Sequence, residues 1–389
     1  PAIFIFKTVA DPFVGKMSLF KVMTGTLTNQ MTLRNLRTGT EERMARIYTL
    51  KGKKQTEVDS LACGDIGMIA KLSDTETADT LALSPNARAY AGISFPEPFY
   101  SRAIVPKAKG DEDKIASGIA RLLEEDYTAR FVNDAETKQL VLSGMGDIHV
   151  DVLVSKLKNR YGVSVDMSEP KIAYRESIRR RIDAEGKHKK QSGGHGQYGH
   201  VKIHFAPSDE PGLHFTESVV GGAVPKNFFP AVEKGLQDSM QKGVLAGFPM
   251  MGLSADLYDG SYHDVDSSEM SFKVAAGLAY KELVNADPVL LEPVGELRVE
   301  VPGDDVGDVM SDLNKRRGRV LGIDPSERKK NWQTVVAEVP KAEMSDYTVA
   351  LRAITQGMGS YTYRLVRYEE VPAAAAQKII AAAKSDAQE

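Results

Sequence analysis

One cysteine, Cys63, is the whole thiol content of these 389 residues. A disulfide framework within the chain is therefore excluded, and a reducing compartment, the cytoplasm, is the expected location. No apolar run approaches the roughly 20 residues that cross a bilayer as a helix, so no membrane partner is expected. No signal peptide opens the chain. Its first residue is Pro1 rather than methionine, which reads as a processed or excised chain. A Gly-x-x-x-x-Gly-Lys-Ser/Thr phosphate loop is also missing. Gly15-Lys16 comes nearest, but Ala10 holds the leading position and Met17 follows the lysine. No nucleoside triphosphate is expected to bind by that route, and the chain alone is not expected to be an enzyme. The net charge of −3 argues against a surface coated in positive charge.

Two further absences narrow the chemistry. His263-Asp264 lies near Ser261 and Ser267, yet no Gly-x-Ser-x-Gly elbow surrounds either serine, so hydrolysis is not expected. His195, His200 and His204 invite a metal reading. His200 and His204 sit four apart on an expected strand, which separates them by roughly 13 Å at about 3.3 Å per residue. That is too far to share one ion. No catalytic residue and no metal ligand is assigned.

What is present gathers around Gln191-Ser192-Gly193-Gly194-His195-Gly196-Gln197-Tyr198-Gly199-His200. Its glycines free the backbone and remove Cβ atoms that would hold a partner away. Its other side chains are mostly donors and acceptors. Gly194-x-Gly196-x-x-Gly199 matches a dinucleotide fingerprint, which requires a strand before it and a helix after it. Here a charged run precedes it, and Val201-Lys202-Ile203-His204-Phe205 alternates like a half-buried strand. The context excludes a nucleotide fingerprint. From Lys171 to Lys202, nine basic residues against three acidic ones leave six positive charges in excess, and Lys187, Lys189 and Lys190 lead straight into the loop. Such an excess attracts phosphate backbones. A solvated hairpin tip is the plainer reading of these residues alone.

Periodicity divides the rest into a multidomain α+β chain. Residues 1–85 read as a small β-barrel, with Ile3–Phe6, Met17–Val22 and Ile66–Ala70 as strands between turns such as Asp11-Pro12, Thr24-Gly25 and Cys63-Gly64-Asp65. Residues 89–168 read as a ferredoxin-like split βαβ sandwich. Ile115, Ile119, Leu122 and Leu123 line one helix, and Val150, Leu153, Val154 and Leu157 line another. A turn at Asn133-Asp134 precedes the strand Lys138–Leu142. Residues 170–288 form the α/β domain that bears the tip. In it, Asp266 and Glu269 have capping-box spacing before a helix with Met270, Val274 and Leu278. Residues 290–371 repeat the sandwich order, with a helix ending at Gly357 as C′. Residues 372–389 are an alanine-rich helical tail. The two sandwiches are expected to act as spacers that hold the tip-bearing domain.

Gln-Ser-Gly-Gly-x-Gly-Gln-Tyr-Gly-His-Val, together with Gly260-Ser261-Tyr262-His263-Asp264-Val265-Asp266-Ser267-Ser268-Glu269, resembles domain IV of bacterial elongation factor G. The resemblance extends along the chain. Asp11-Pro12-Phe13-Val14-Gly15-Lys16 through Val22 is similar to the family's domain II, and Gly144-Met145-Gly146-Asp147-Ile148-His149 to its domain III. Leu291-Glu292-Pro293, Arg316-Arg317-Gly318 and Thr355-Gln356-Gly357-Met358-Gly359 are similar to its domain V. There are departures. His195 stands where arginine is usual, Asp147-Ile148 where Glu-Leu is usual, and Ala78 replaces the glycine of a Gly-Asp-Thr-Leu run. A divergent paralogue is one reading of these shifts.

The resemblance implies a ribosomal-protein-S5-like fold for the tip-bearing domain and the work of a ribosome-dependent translocase. The family's GTP-binding domain has no counterpart in these residues. The resemblance therefore implies no cofactor in this chain, with GTP and Mg²⁺ held by the missing domain, and a full-length protein that is a ribosome-stimulated GTPase. The implied partners are both ribosomal subunits, ribosomal RNA, and the tRNA–mRNA pair in the decoding site, met by a monomer. Gln191, Ser192, Gly193, Gly194, His195, Gly196, Gln197, Tyr198 and His263 are the implied RNA-contacting tip. A tetracycline-resistance-type ribosomal protection factor and a stand-alone RNA-binding protein are the alternatives.

Overall fold

The computed structural model describes residues 1–11, 14–52, 54–191, 196–326 and 329–386. The chain forms two compact units, Pro1–Lys171 and Ile172–Glu389.

The first unit opens with ten strands and, among the described residues, no helix before Glu112. Eight strands form one antiparallel sheet, and Thr26–Thr28 pairs with Ser60–Ala62 in a second. Alternation directs Ile3 and Ile5 of Ala2–Asp11, and Phe20 and Val22 of Gly15–Thr24, into a core shared with Leu27, Leu61, Ile69 and Leu81. Because both sheets fill this one core, the architecture is the expected barrel. Pro12 and Phe13, part of the motif read as domain II-like, lie outside the described residues. Ala78 takes φ +78° while its N–H donates to Ile5 O at 2.7 Å.

The sandwich that follows has strands Tyr100–Pro106, Arg130–Asp134, Gln139–Gly144 and Val165–Ser168, with helices Glu112–Glu125 and Asp147–Tyr161. In space the strands run second, third, first, fourth, the ferredoxin-like order. The helices bury Ile115, Ile119 and Leu122, and Val150, Leu153 and Leu157, as the period requires. The turn expected at Asn133-Asp134 lies later. Both residues belong to a strand, and Asp134 pairs with Gln139. The Asp134 carboxylate accepts from the Glu136 and Thr137 N–H groups, and Lys138 turns the chain at φ +53°.

The second unit holds two sheets. Ile182–Lys190, Gln197–Pro207, Leu253–Ser261 and Leu213–Glu217 lie side by side in that order. Helices Phe229–Met240 and Glu269–Lys281 contribute Val232, Leu236, Phe272 and Ala276 to a core with Val201, Ile203, Phe205 and Leu257 of the sheet. The other sheet is built on the long strand Pro288–Pro302, flanked by Trp332–Pro340 and Ser360–Glu370, with Arg319–Pro325 outermost. Its helices are Val306–Lys315 and Tyr347–Ile354. The second of these ends with Gln356 at φ +52° and Gly357 at φ +83°. Gln356 therefore takes the C′ place expected of the glycine, one residue earlier. Arg175–Ile178 joins this sheet at the start of the long strand. Glu176 anchors that join: it is fully buried, and its carboxylate accepts from the N–H groups of Leu245, Ala246 and Phe248.

Candidate nucleic-acid interface

The glycine stretch closes a hairpin whose strands, Ile182–Lys190 and Gln197–Pro207, stay in register up to Lys190 opposite Gln197. Gln191 and Gln197 are exposed at its end. Ser192, Gly193, Gly194 and His195 lie outside the described residues.

Two glycines of the hairpin serve packing rather than a partner. A Cβ on Gly186 would stand 1.9 Å from Ala275 O, and one on Gly199 2.5 Å from Ser271 O. Helix Glu269–Lys281 therefore lies directly on the hairpin backbone, and only glycine fits there. The nucleotide-like spacing at Gly199 records this helix–sheet contact. Gly186 in an alternating strand is the sequence signal for it.

Six of the nine basic residues of the stretch fall into two groups. Arg179 pairs with Glu370 and Asp287, and Arg180 faces Asp287. Lys202 donates to Asp259 at 2.9 Å, which holds that carboxyl below its usual range. Lys187, Lys189 and Lys190 are exposed, and none has an ion pair among the described residues. The Lys187 ammonium stands 5.9 Å from the Tyr198 ring centroid, within reach of its π face. Alternation puts Lys187 and Lys189 on one face of the strand and Lys190 on the other. These three charges stand on the last four residues of the strand that leads into the tip.

The histidines and serines of the two loops form defined pairs. Ser261 meets His200 rather than His263: its Oγ is 2.7 Å from His200 Nδ1 and 2.7 Å from the Tyr198 hydroxyl. His200 Nε2 lies 2.8 Å from Glu185. His200 thus bridges the Glu185 carboxylate and the Ser261 hydroxyl, which in turn meets the Tyr198 hydroxyl. The chain of bonds steadies the Tyr198 phenol at the root of the tip. His204 bonds to Asp183 and stacks on Tyr258 at 3.8 Å between centroids. Among the described residues no cluster of three or more metal-ligating side chains occurs.

The second polar loop returns to the first. Tyr198 N–H donates to Asp266 O at 2.8 Å, and Ser267 Oγ donates to Tyr198 O at 2.9 Å. His263 is exposed, its N–H donates to Ser267 Oγ, and its Nδ1 accepts from Val265 and Asp266 N–H groups at 3.3 Å. The N-cap of the following helix is Ser268, whose hydroxyl accepts from Ser271 N–H at 3.2 Å. This corrects the expected cap at Asp266, because that carboxylate is engaged by the tip.

Residues 170–286 match the family model for elongation factor G, domain IV, and residues 95–169 match that for domain III. Residues 1–84 match elongation factor G domain 2, and residues 289–379 match the elongation factor G C-terminus. The chain belongs to the elongation factor G family. It is similar to an elongation factor G-like protein of Thermotoga maritima, with 45% identity over 388 residues, covering 99% of this chain and 56% of that protein. It is also similar to a crystal structure from Thermus thermophilus, at 37% identity and TM-score 0.84, covering all of this chain and 58% of that one. The chain thus spans little more than half the length of these relatives.

Two other elongation factor G motifs have structural employment. His149 Nδ1 accepts from Met145 N–H at 3.0 Å, and its Nε2 meets Asp126 at 2.8 Å, so it ties the Gly-Met-Gly turn to the preceding helix end. Arg317 clasps the buried Glu292 through two N–H groups at 2.5 and 2.9 Å. Arg316 reaches Asp312 and Asp346 and lies over the Tyr347 ring.

Proposed function

We propose that this chain is the ribosome-binding portion of a GTP-dependent translocase, and that its hairpin tip works against the tRNA–mRNA pair in the decoding site. Matches to four successive elongation factor G domains support this reading. The observation that carries the tip's role is a concentration of exposed cations, Lys187, Lys189 and Lys190, without ion pairs among the described residues. They stand beside a hairpin end with exposed Gln191 and Gln197. A-form RNA pairs are met through phosphates and 2′-hydroxyls across a shallow groove. Ammonium groups suit the phosphates, and the two amides can donate and accept at the sugars. GTP and Mg²⁺ belong in this proposal to the part of the longer relatives that the chain does not span.

The test uses the longer protein that carries these residues. Gly194→Ala and Gln197→Ala should each slow tRNA–mRNA movement at least severalfold while ribosome-stimulated GTP hydrolysis stays near wild type. Movement at the wild-type rate in both variants would reduce the tip to a passive hairpin end.

A further inference from the structure

The tip needs a fixed root, and one carboxylate supplies it. Gly196 is the residue where the glycine loop re-enters the second hairpin strand. Its N–H donates to Asp266 Oδ1 at 2.9 Å, across 70 residues of sequence. A Cβ on Gly196 would come within 2.9 Å of the same carboxylate, so a side chain there would displace it. Asp266 is only partly exposed, and its other oxygen stands 3.5 Å from His263 Nδ1. One side chain therefore touches the first loop at its exit and lies beside the histidine of the second. The bonds of the Tyr198 backbone to Asp266 O and to the Ser267 hydroxyl lie further along the strand. They hold the hairpin but do not reach Gly196.

We infer that Asp266 is the positioning residue of the tip: its carboxylate fixes the backbone at which the glycine loop rejoins the sheet. This inference rests on the tip reading proposed above. A hydrogen bond to a charged acceptor is shorter and stronger than a neutral one, which makes a carboxylate suited to hold a loop root against thermal opening.

The test reads the amides directly, in the 389-residue chain, by hydrogen exchange on selectively labelled glycine and tyrosine. Asp266→Ala should speed exchange at Gly196 by about tenfold, the equivalent of one charge-assisted bond. Tyr198, whose amide bonds to a backbone oxygen, should keep its protection. Asp266→Asn retains an oxygen acceptor and should restore most of the protection at Gly196. Unchanged exchange at Gly196 in Asp266→Ala overturns the inference. Equal acceleration at Gly196 and Tyr198 also overturns it, since the hairpin as a whole would then be fraying. The inference and the tip reading fail separately. If Gly196 behaves as described but the longer protein with Asp266→Ala moves tRNA and mRNA at the wild-type rate, Asp266 still positions the loop, and the proposed role of the tip is what falls.

Discussion

Lys187, Lys189 and Lys190 on the hairpin and Arg316, Arg317 and Arg319 in the C-terminal sandwich look alike in sequence, as short basic runs beside a glycine. Their structural situations are opposite. The three lysines extend into solvent without an ion pair among the described residues. Each arginine is committed within the sandwich: Arg316 to Asp312 and Asp346, Arg317 to Glu292 and Glu343, and Arg319 to Glu338. The chemistry of the two cations fits this division. Guanidinium offers a rigid fork that matches carboxylates in two-point contacts, whereas ammonium is a strongly hydrated point charge on a flexible stem. A basic run therefore identifies a nucleic-acid surface only after its carboxylate partners have been counted in space.

The largest consequence falls on the arginine side. Glu292 is buried, and Arg317 covers both of its oxygens. Removing the guanidinium in Arg317→Ala strands that carboxylate, a change that costs about 3 kcal/mol or more. Thermal unfolding of the variant should show its transition several degrees lower. Adding Glu292→Gln should recover part of the loss, because the stranded charge is then gone. A transition within a degree of wild type would mean that water reaches Glu292 and that the pair is a surface ornament.

A smaller effect separates commitment by side chain from commitment by backbone. Ala78 sits at φ +78°, where a Cβ meets the neighbouring carbonyl and only glycine is comfortable. Its N–H is tied to Ile5 O and Asp79 O accepts from Ile5 N–H, so the barrel holds it there. Ala78→Gly should stabilise the first unit by about 0.5–1 kcal/mol, the relief of strain outweighing the added freedom of the unfolded chain. A destabilised variant would show that the methyl group makes packing contacts worth more than its strain.

Local elements are legible in the sequence, and the partnerships between them are hidden. Helices lined by Ile115, Ile119 and Leu122, or by Val150, Leu153 and Leu157, are readable because their period is written within one element. Motif order gives the family for the same reason. A carboxylate three residues before Glu269 satisfies a local capping rule, and that rule misplaces Asp266, whose actual partner, Gly196, is 70 residues away. Proximity in sequence likewise sets Ser261 beside His263, and the sheet sets it beside His200. The pairing of Arg317 with Glu292 spans 25 residues of sequence. Charge counts carry no record of such distances.

The finest test of the lysine–arginine contrast removes the lysines themselves. Exposed side chains without partners contribute little to folding, so Lys187→Ala, Lys189→Ala and Lys190→Ala combined should change stability by less than about 0.5 kcal/mol. The effect should appear in binding and in its salt dependence. Each lysine that meets a phosphate releases counterions, and the slope of log affinity against log salt falls by about 0.7–0.9 for each phosphate left without its lysine. Binding of the chain to purified ribosomes, titrated across salt concentrations, should therefore lose up to about two to three units of slope in the triple variant. Arg317→Ala, measured at a temperature where it remains folded, should leave the slope unchanged because that charge is already neutralised by Glu292 and Glu343. If the triple variant keeps the wild-type slope, the hairpin lysines do not face the RNA. If Arg317→Ala alters the slope, the arginine pairing gives way on the ribosome and the contrast between the two basic runs disappears.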